Sequence, residues 1–166
     1  AQADVEHLDL TAFLKQPAWQ SDVNLQAHLE GEGLVPHELH SDVRVDIQPS
    51  HLGTITLQPS QIDLQARQGR FEVRRFDIVT SMARMQATGA IDLAGRSDLQ
   101  YELTADLSDL RQLLDAERLV GEVRLHGQAD GQWPDLTVRG ALDVRDVQYQ
   151  DYALDELHLA YEGSQL

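Results

Sequence analysis

The sequence predicts an all-β protein built on a long antiparallel or mixed sheet, with a single short helix. Three observations favour this class. Apolar and polar residues alternate with a period of two along most of the 166 residues, which is typical of strands with one dry and one solvated face. Short stretches with Gly or Pro separate the alternating segments. Long uninterrupted apolar runs, which parallel strands buried on both faces would show, are missing.

Alternating segments in the first half of the chain predict five strands. They lie at about residues 22–29, 42–47, 54–57, 62–67 and 71–78. In each segment, apolar residues alternate with charged or hydrogen-bonding residues, so one face of each strand is expected to be dry.

The second half predicts five further strands of the same kind. They lie at about residues 86–93, 99–107, 123–129, 136–144 and 157–161. The segment at 99–107 contains the longest clean alternation. Small residues recur at the dry positions of the predicted strands before and after it. Small residues at such positions permit bending or leave room against the sheet.

Turn signals fall between the predicted strands. Each contains Gly or Pro, as short hairpin connections require. These stretches are EGEGLVP at 30–36, QPSHLG at 48–53, QPSQ at 58–61, RQGR at 67–70, AGRS at 94–97 and DGQWPD at 130–135.

Two positions predict β-bulges. The parity of the apolar positions changes across Arg74-Arg75, and it changes again across Arg145-Asp146. An extra residue in one strand of a pair produces such a change.

One segment favours a helix. In SDLRQLLDAERL, Leu110, Leu113 and Leu114 have helical spacing, and Ser108 is placed to cap the first turn. The sequence therefore predicts one short helix near 108–118.

A loose internal repeat relates residues 8–47 to residues 105–144. LDLTAFL resembles ADLSDLRQLL, and Pro36 matches Pro134 in the turn between two long strands. Because such self-similarity is typical of arrays that grow by adding units, we expect residues 1–166 to be a single β-rich section of a longer repetitive protein.

Charge and composition exclude several functions. The 28 acidic and 13 basic residues give a net charge of −15, which disfavours nucleic-acid binding. The chain has no cysteine, and no apolar run approaches the 18 residues of a membrane helix. We therefore expect membrane contact only through regions outside this chain.

Catalytic and metal-binding patterns are weak. His37 and His40 flank Glu38, but on a strand this spacing directs the two imidazoles to opposite faces. No pair of acids stands out as an acid/base couple. The prediction is a protein without a cofactor, a metal site or an enzymatic activity.

The alternation alone leaves two arrangements open. Two dry faces packed on each other would form an ordinary β-sandwich. One curved face left uncovered would form an apolar trough. Scarce helices, recurrent small dry residues and few aromatic residues favour the trough, whereas composition alone favours an ordinary β-sandwich with small core residues.

Four stretches resemble the repeating periplasmic region of the TamB family, within the AsmA-like group of envelope proteins. They are GAIDL at 89–93, ADLSDL at 105–110, GEVRLHGQADG at 121–131, and the strand from Pro134 to Leu154 that ends in VQYQDYAL. The resemblance is best from about Met85 onward and looser before it.

The resemblance implies a fold and a location. Family members fold a long sheet into a half-pipe (a β-taco) with an apolar concave face. They are anchored in the inner membrane of diderm bacteria and cross the periplasm, so this chain is expected to be periplasmic.

The resemblance also implies a function. It is a hydrophobic groove for phospholipid transport between the inner and outer membrane, with phospholipid acyl chains as partners. An Omp85-type outer-membrane barrel would be the partner of the full-length protein. The alternative is an interaction or chaperone module that assists outer-membrane protein assembly by strand addition.

On this resemblance, the dry positions of the strands would line the lipid groove. These residues are Val23, Leu25, Leu29, Val43, Val45, Ile47, Ile55, Leu57, Ile62, Leu64, Phe71, Val73, Ile91, Leu93, Leu99, Tyr101, Leu103, Val123, Leu125, Leu136, Val138, Leu142, Val144, Leu157 and Leu159.

Overall fold

A computed structural model describes residues 1–9, 21–33, 38–111, 118–132 and 134–164. Within these residues the chain forms twelve strands, and every strand pairing in them is antiparallel. The strands are β1 (Gln2–Leu8), β2 (Ser21–Glu32), β3 (His40–Ile47), β4 (Ser50–Leu52), β5 (Ile55–Leu57), β6 (Ser60–Arg67), β7 (Arg70–Val79), β8 (Ala83–Asp92), β9 (Arg96–Asp106), β10 (Leu119–Gln132), β11 (Asp135–Tyr149) and β12 (Tyr152–Ser164). The predicted all-β class with antiparallel pairing is confirmed, and the half-pipe curvature stays a prediction.

The chain divides into two compact units, Ala1–Ser81 and Met82–Leu166. In the first unit, β2 lies between β1 and β3, and β6 lies between β3 and β7. In the second unit, β8 to β12 pair in sequence order. The second unit therefore follows the simplest antiparallel path, in which neighbours along the chain are neighbours in the sheet. The first unit departs from it, because β3 pairs with β6 and β2 also pairs with β4.

The two Gln-Pro-Ser stretches form bulges, so the turn predicted at 58–61 is wrong. Of the turn predicted at 48–53, only the end is a turn, at Gly53 between β4 and β5. Residues 40–67 form one long hairpin. Ile47 pairs with Ser60 before the two prolines, and Ser50 pairs with Leu57 after them, in an unchanged register. Against β2, the register shifts by one residue across the first stretch. Proline removes a ladder donor, and a bulge is one of the few places in a sheet that tolerates this loss.

The bulges predicted from parity are both confirmed. Asp63 pairs with Arg75 while Leu64 pairs with Val73, which leaves Arg74 as the extra residue of β7. The register between β10 and β11 shifts near Gly121, opposite Asp146, whose φ is 51°. Both bulges keep the apolar residues on either side of them on one face of the sheet.

The predicted helix near 108–118 falls largely outside the described residues. Residues 107–110, which are described, form a turn. Its backbone bonds run from Asp109 N–H to Asp106 O and from Leu110 N–H to Leu107 O. The internal repeat stays a prediction. The two matched hairpins are antiparallel, but so are all the other described pairs, so this shared feature does not distinguish them.

Candidate functional site

One row of apolar side chains crosses the whole second unit. Met85 pairs with Leu103, and Leu103 pairs with Leu125 on β10. Leu125 then pairs with Leu142, and Leu142 with Leu159 on the outer strand β12. Since paired residues in neighbouring strands point to the same face, these five side chains form one continuous stripe.

Three further rows run parallel to this stripe on the same face. None of their side chains is charged. The rows are Ala83–Ala105–Val123–Val144–Leu157, Ala87–Tyr101–Gly127–Gly140–Tyr161 and Gly89–Leu99–Ala129–Val138–Gly163. We call the four rows together the apolar face of the second unit.

No layer of the second unit's own described residues packs on this face. Leu103 and Leu125, which lie on inner strands, are only partly buried. Met85 is 44% exposed and Leu159 is 49% exposed. The buried apolar residues of the unit are mostly small or lie toward the strand ends, and Leu136 is the largest aliphatic among them. A second layer within the unit would bury the central leucines, so the described part of this unit does not form a closed sandwich.

The first unit presents a similar face. One row runs Ala3–Ala27–Val45–Ile62–Phe76, and these side chains are again uncharged. A neighbouring row contains Leu29, Val43, Leu64 and Val73, and Leu29 is 48% exposed. The arrangement of the second unit is therefore repeated in the first.

Most of the predicted lining residues lie on these faces. Ile55 and Leu57 also join the face of the first unit, because the Gln-Pro-Ser bulges change the parity of their strand. Leu93 lies in the bend after β8 and not in a strand. Leu136 lies near the start of β11 and is buried.

The opposite face of the second unit is polar and contains a shallow groove of about 1080 Å³. Its side chains include Gln86, Gln100, Glu102, Arg124 and Arg139. Arg124 Nη2 lies 2.9 Å from Glu102 Oε2, and Arg139 Nη2 lies 2.6 Å from Asp130 Oδ1. Of the predicted apolar lining residues, Tyr101 alone contributes to this groove. Tyr161, Gly127 and Gly140 of the same row also line it, because the two glycines leave the backbone of this row uncovered.

Two aspartates on the polar face are stabilised as carboxylates. The hydrogen bond from Arg139 lowers the pKa of Asp130 below its usual value of 3.8. The hydrogen bond with His158, 2.6 Å from Nδ1 to Oδ1, likewise lowers the pKa of Asp143. These pairs link β10 to β11 and β11 to β12, so they hold neighbouring strands together.

The pairing also brings together two tyrosines, and the sequence alone does not predict their contact. Tyr101 on β9 and Tyr161 on β12 are separated by two strands, yet their hydroxyl oxygens lie 2.5 Å apart. Between them lie Gly127 and Gly140, which lack the side chains that would keep the rings apart. Glycines at the centre of two long strands are the signal in the sequence, but the partner rings follow only from the register.

The described residues contain no other recognisable kind of site. In that part of the chain, no three His, Cys, Asp or Glu side chains are grouped so as to hold a metal ion. None of its helices is long and apolar enough to cross a membrane.

Comparison with known proteins gives no match. No family model, no curated protein and no solved structure is similar to this chain at a significant level. The resemblance to the TamB family therefore rests on the four stretches of sequence that carry it.

Proposed function

We propose that the chain is a periplasmic section of a bridge-like protein whose apolar faces bind phospholipid acyl chains and guide them between the inner and outer membranes. One observation carries this proposal. The apolar face of the second unit crosses five strands without a charged side chain, and no described residue of that unit covers it. An exposed apolar patch of this extent marks an interaction surface.

The composition of the face suits a hydrocarbon chain. Burying each methylene contributes about 0.8 kcal/mol, so a chain of roughly 16 carbons gains on the order of 10 kcal/mol when fully covered. Apart from two tyrosines, the four rows consist of Gly, Ala, Val, Leu and Met, and such an uncharged surface favours movement of a hydrocarbon chain along the sheet. The acidic residues of the polar face meanwhile keep that face solvated.

The location and partners belong to the same proposal. An anchor in the inner membrane of a diderm bacterium and an Omp85-type barrel at the outer membrane would place the apolar faces between two lipid sources. Both would involve regions of a longer protein outside residues 1–166. The proposed role is non-catalytic.

A hydrocarbon probe tests the binding step. We expect diphenylhexatriene, which fluoresces in apolar surroundings, to bind the full chain. Leu125→Gln places a polar group at the centre of the apolar face and should weaken binding about tenfold or more, since burial of a leucine contributes about 2 kcal/mol. Arg124→Gln introduces the same residue one position away on the polar face and should leave binding within about twofold. Equal effects of the two substitutions would contradict the proposal.

A second candidate is an envelope chaperone module that pairs with an outer-membrane polypeptide by strand addition. The outer strand β12 favours it, because its described pairing is with β11 and nearly all of Tyr152–Tyr161 is exposed. Unpaired backbone groups on such a strand are a template for another strand. Crosslinks from β12 to an unfolded outer-membrane protein, without lipid adducts on Leu103 or Leu125, would favour this candidate over the first.

A further inference from the structure

The polar atoms of the apolar face lie at its centre. In the four rows that define this face, the only side-chain oxygens are the hydroxyls of Tyr101 and Tyr161. A Cβ atom built at Gly127 would lie 2.7 Å from Tyr101 Oη, and one built at Gly140 would lie 2.5 Å from Tyr161 Oη. The two rings therefore lie over the glycines and bring their hydroxyls together in the middle of the sheet.

One of the two phenol protons lacks a short hydrogen bond. The 2.5 Å contact between the hydroxyls uses one proton, whichever tyrosine donates it. Tyr161 Oη makes a second contact with the carbonyl oxygen of His126, at 3.4 Å. Hydroxyl donors normally lie 2.7–2.8 Å from their acceptor, so this contact is weak. A donor is thus available to an oxygen atom lying on the face.

Tyr101 remains protonated at neutral pH. Burial, followed by the hydrogen bond to Tyr161, raises the pKa of Tyr101 to about 12. The Tyr101 hydroxyl therefore acts as a hydrogen-bond donor and not as a negative charge. The rows on either side of the tyrosine row are apolar, and they include Leu103 and Leu99 on the same strand.

We infer that the Tyr101–Tyr161 hydroxyl pair donates a hydrogen bond to the ester carbonyl oxygen of an acylated amphiphile whose hydrocarbon chain lies on the apolar face of the second unit. This inference rests on the proposed function and names the chemical group recognised at that site. A ligand with one acceptor oxygen in an otherwise apolar stretch matches the distribution of polar atoms on the face. The net charge of −15 favours an ester in a neutral or zwitterionic lipid over the anionic carboxylate of a free fatty acid.

Two lysophospholipids that differ only in this carbonyl group provide the test. An acyl lysophosphatidylcholine has the ester, and the alkyl ether analogue of equal chain length lacks it. Below their micellar concentrations, calorimetric titration of the full chain should show about two- to tenfold tighter binding of the ester, as expected for one neutral hydrogen bond.

The double substitution Tyr101→Phe/Tyr161→Phe should abolish this preference and leave the affinity for the ether unchanged. Both tyrosines are replaced together, because a single substitution would release the remaining hydroxyl to the ligand. Tyr152→Phe, on the exposed start of β12, is the control and should retain the preference. Thermal unfolding of each variant confirms that it is folded.

The outcomes separate the inference from the proposed function. Equal binding of ester and ether by the unsubstituted chain, with diphenylhexatriene still bound, would overturn the inference and leave the proposed function standing. Failure of all three ligands to bind would overturn both. A dimer that Leu103→Asp converts to a monomer, together with no ligand binding, would assign the face to a second copy of the chain and also overturn both.

Discussion

Two buried serine hydroxyls connect neighbouring strands at the Gln-Pro-Ser bulges. Ser50 Oγ donates to Gln48 O and accepts a hydrogen bond from Asn24 N–H, both at 2.8 Å. Ser60 makes the equivalent pair of contacts, with Gln58 O at 2.8 Å and with Val79 N–H at 2.9 Å. Each hydroxyl therefore satisfies a backbone donor that the displaced ladder leaves without a carbonyl partner.

Replacing either serine by alanine tests this role. Ser50 is 0% exposed, so Ser50→Ala leaves the N–H of Asn24 buried without an acceptor. We expect the free energy of unfolding to fall by about 1–3 kcal/mol, measured by urea denaturation. The control Ser41→Ala, at the start of β3 and away from the bulges, should change it by less than about 0.5 kcal/mol. A neutral Ser50→Ala would show that the bulge does not depend on the hydroxyl.

The glycine positions beneath the tyrosines give a second prediction at this scale. A methyl group at Gly127 would lie 2.5 Å from the backbone oxygen of Arg139 and 2.7 Å from Tyr101 Oη. Gly127→Ala should therefore destabilise the fold by about 1–3 kcal/mol. Gly163→Ala meets nothing within 4 Å and should be neutral or slightly stabilising. Comparable melting temperatures for the two variants would contradict the ring positions.

At the scale of the element, the bulge of β7 keeps its two halves in phase. Arg74 is the extra residue, so Phe71 and Val73 before it face the same side as Phe76 and Ile78 after it. A slip of one residue in a strand moves every following side chain to the other face. The bulge is thus needed to keep the apolar side chains of both halves of β7 on one face of the sheet.

Deleting Arg74 should unfold the first unit. Without the extra residue, either the apolar side chains on one side of the bulge turn to the polar face or the pairing with β6 is lost. We expect circular dichroism to show loss of cooperative unfolding. The matched variant Arg74→Ala keeps the residue count and loses only exposed ion pairs, so it should remain folded. A deletion variant as stable as Arg74→Ala would contradict this role.

Much of the strand content follows from the sequence, because period-two alternation directly reflects the two faces of a strand. The prediction of turns at the Gln-Pro-Ser stretches is wrong, because proline marks both turns and bulges. The distinguishing signal is the change of parity between Ile55 and Leu57 on one side and Ile62 and Leu64 on the other. The contact of Tyr101 with Tyr161 lies beyond such reasoning, since it depends on the register of three successive strand pairs.

At the scale of the whole molecule, the ion pairs of the polar face make the free energy of unfolding depend on pH in the acidic range. The pKa values of Asp130 and Asp143 are lowered in the folded state by their contacts with Arg139 and His158. The folded state therefore binds fewer protons than the unfolded chain as the pH falls through 3.8. The stabilisation is complete above that pH and is lost as the pH falls through the lowered values.

The variant Asp143→Asn isolates this effect from the general decrease in net negative charge. The difference in unfolding free energy between the unsubstituted chain and Asp143→Asn should shrink as the pH falls below about 4, where Asp143 takes up a proton. Denaturation at fixed ionic strength measures it. A difference that stays constant down to pH 2 would show that the contact with His158 does not stabilise the charged form.

In both units, each strand has an apolar face and a polar face. Two consecutive residues of one strand therefore point to opposite faces and offer matched positions for a direct test. A photo-crosslinking residue placed at Leu103 or Leu125 points to the apolar face, whereas one at Glu102 or Arg124 points to the polar face. Irradiation in the presence of phospholipid vesicles, followed by mass spectrometry of the intact chain, should give lipid adducts at the first pair and few at the second. Equal labelling at all four positions, or labelling by protein alone, would contradict the binding of acyl chains by the apolar face.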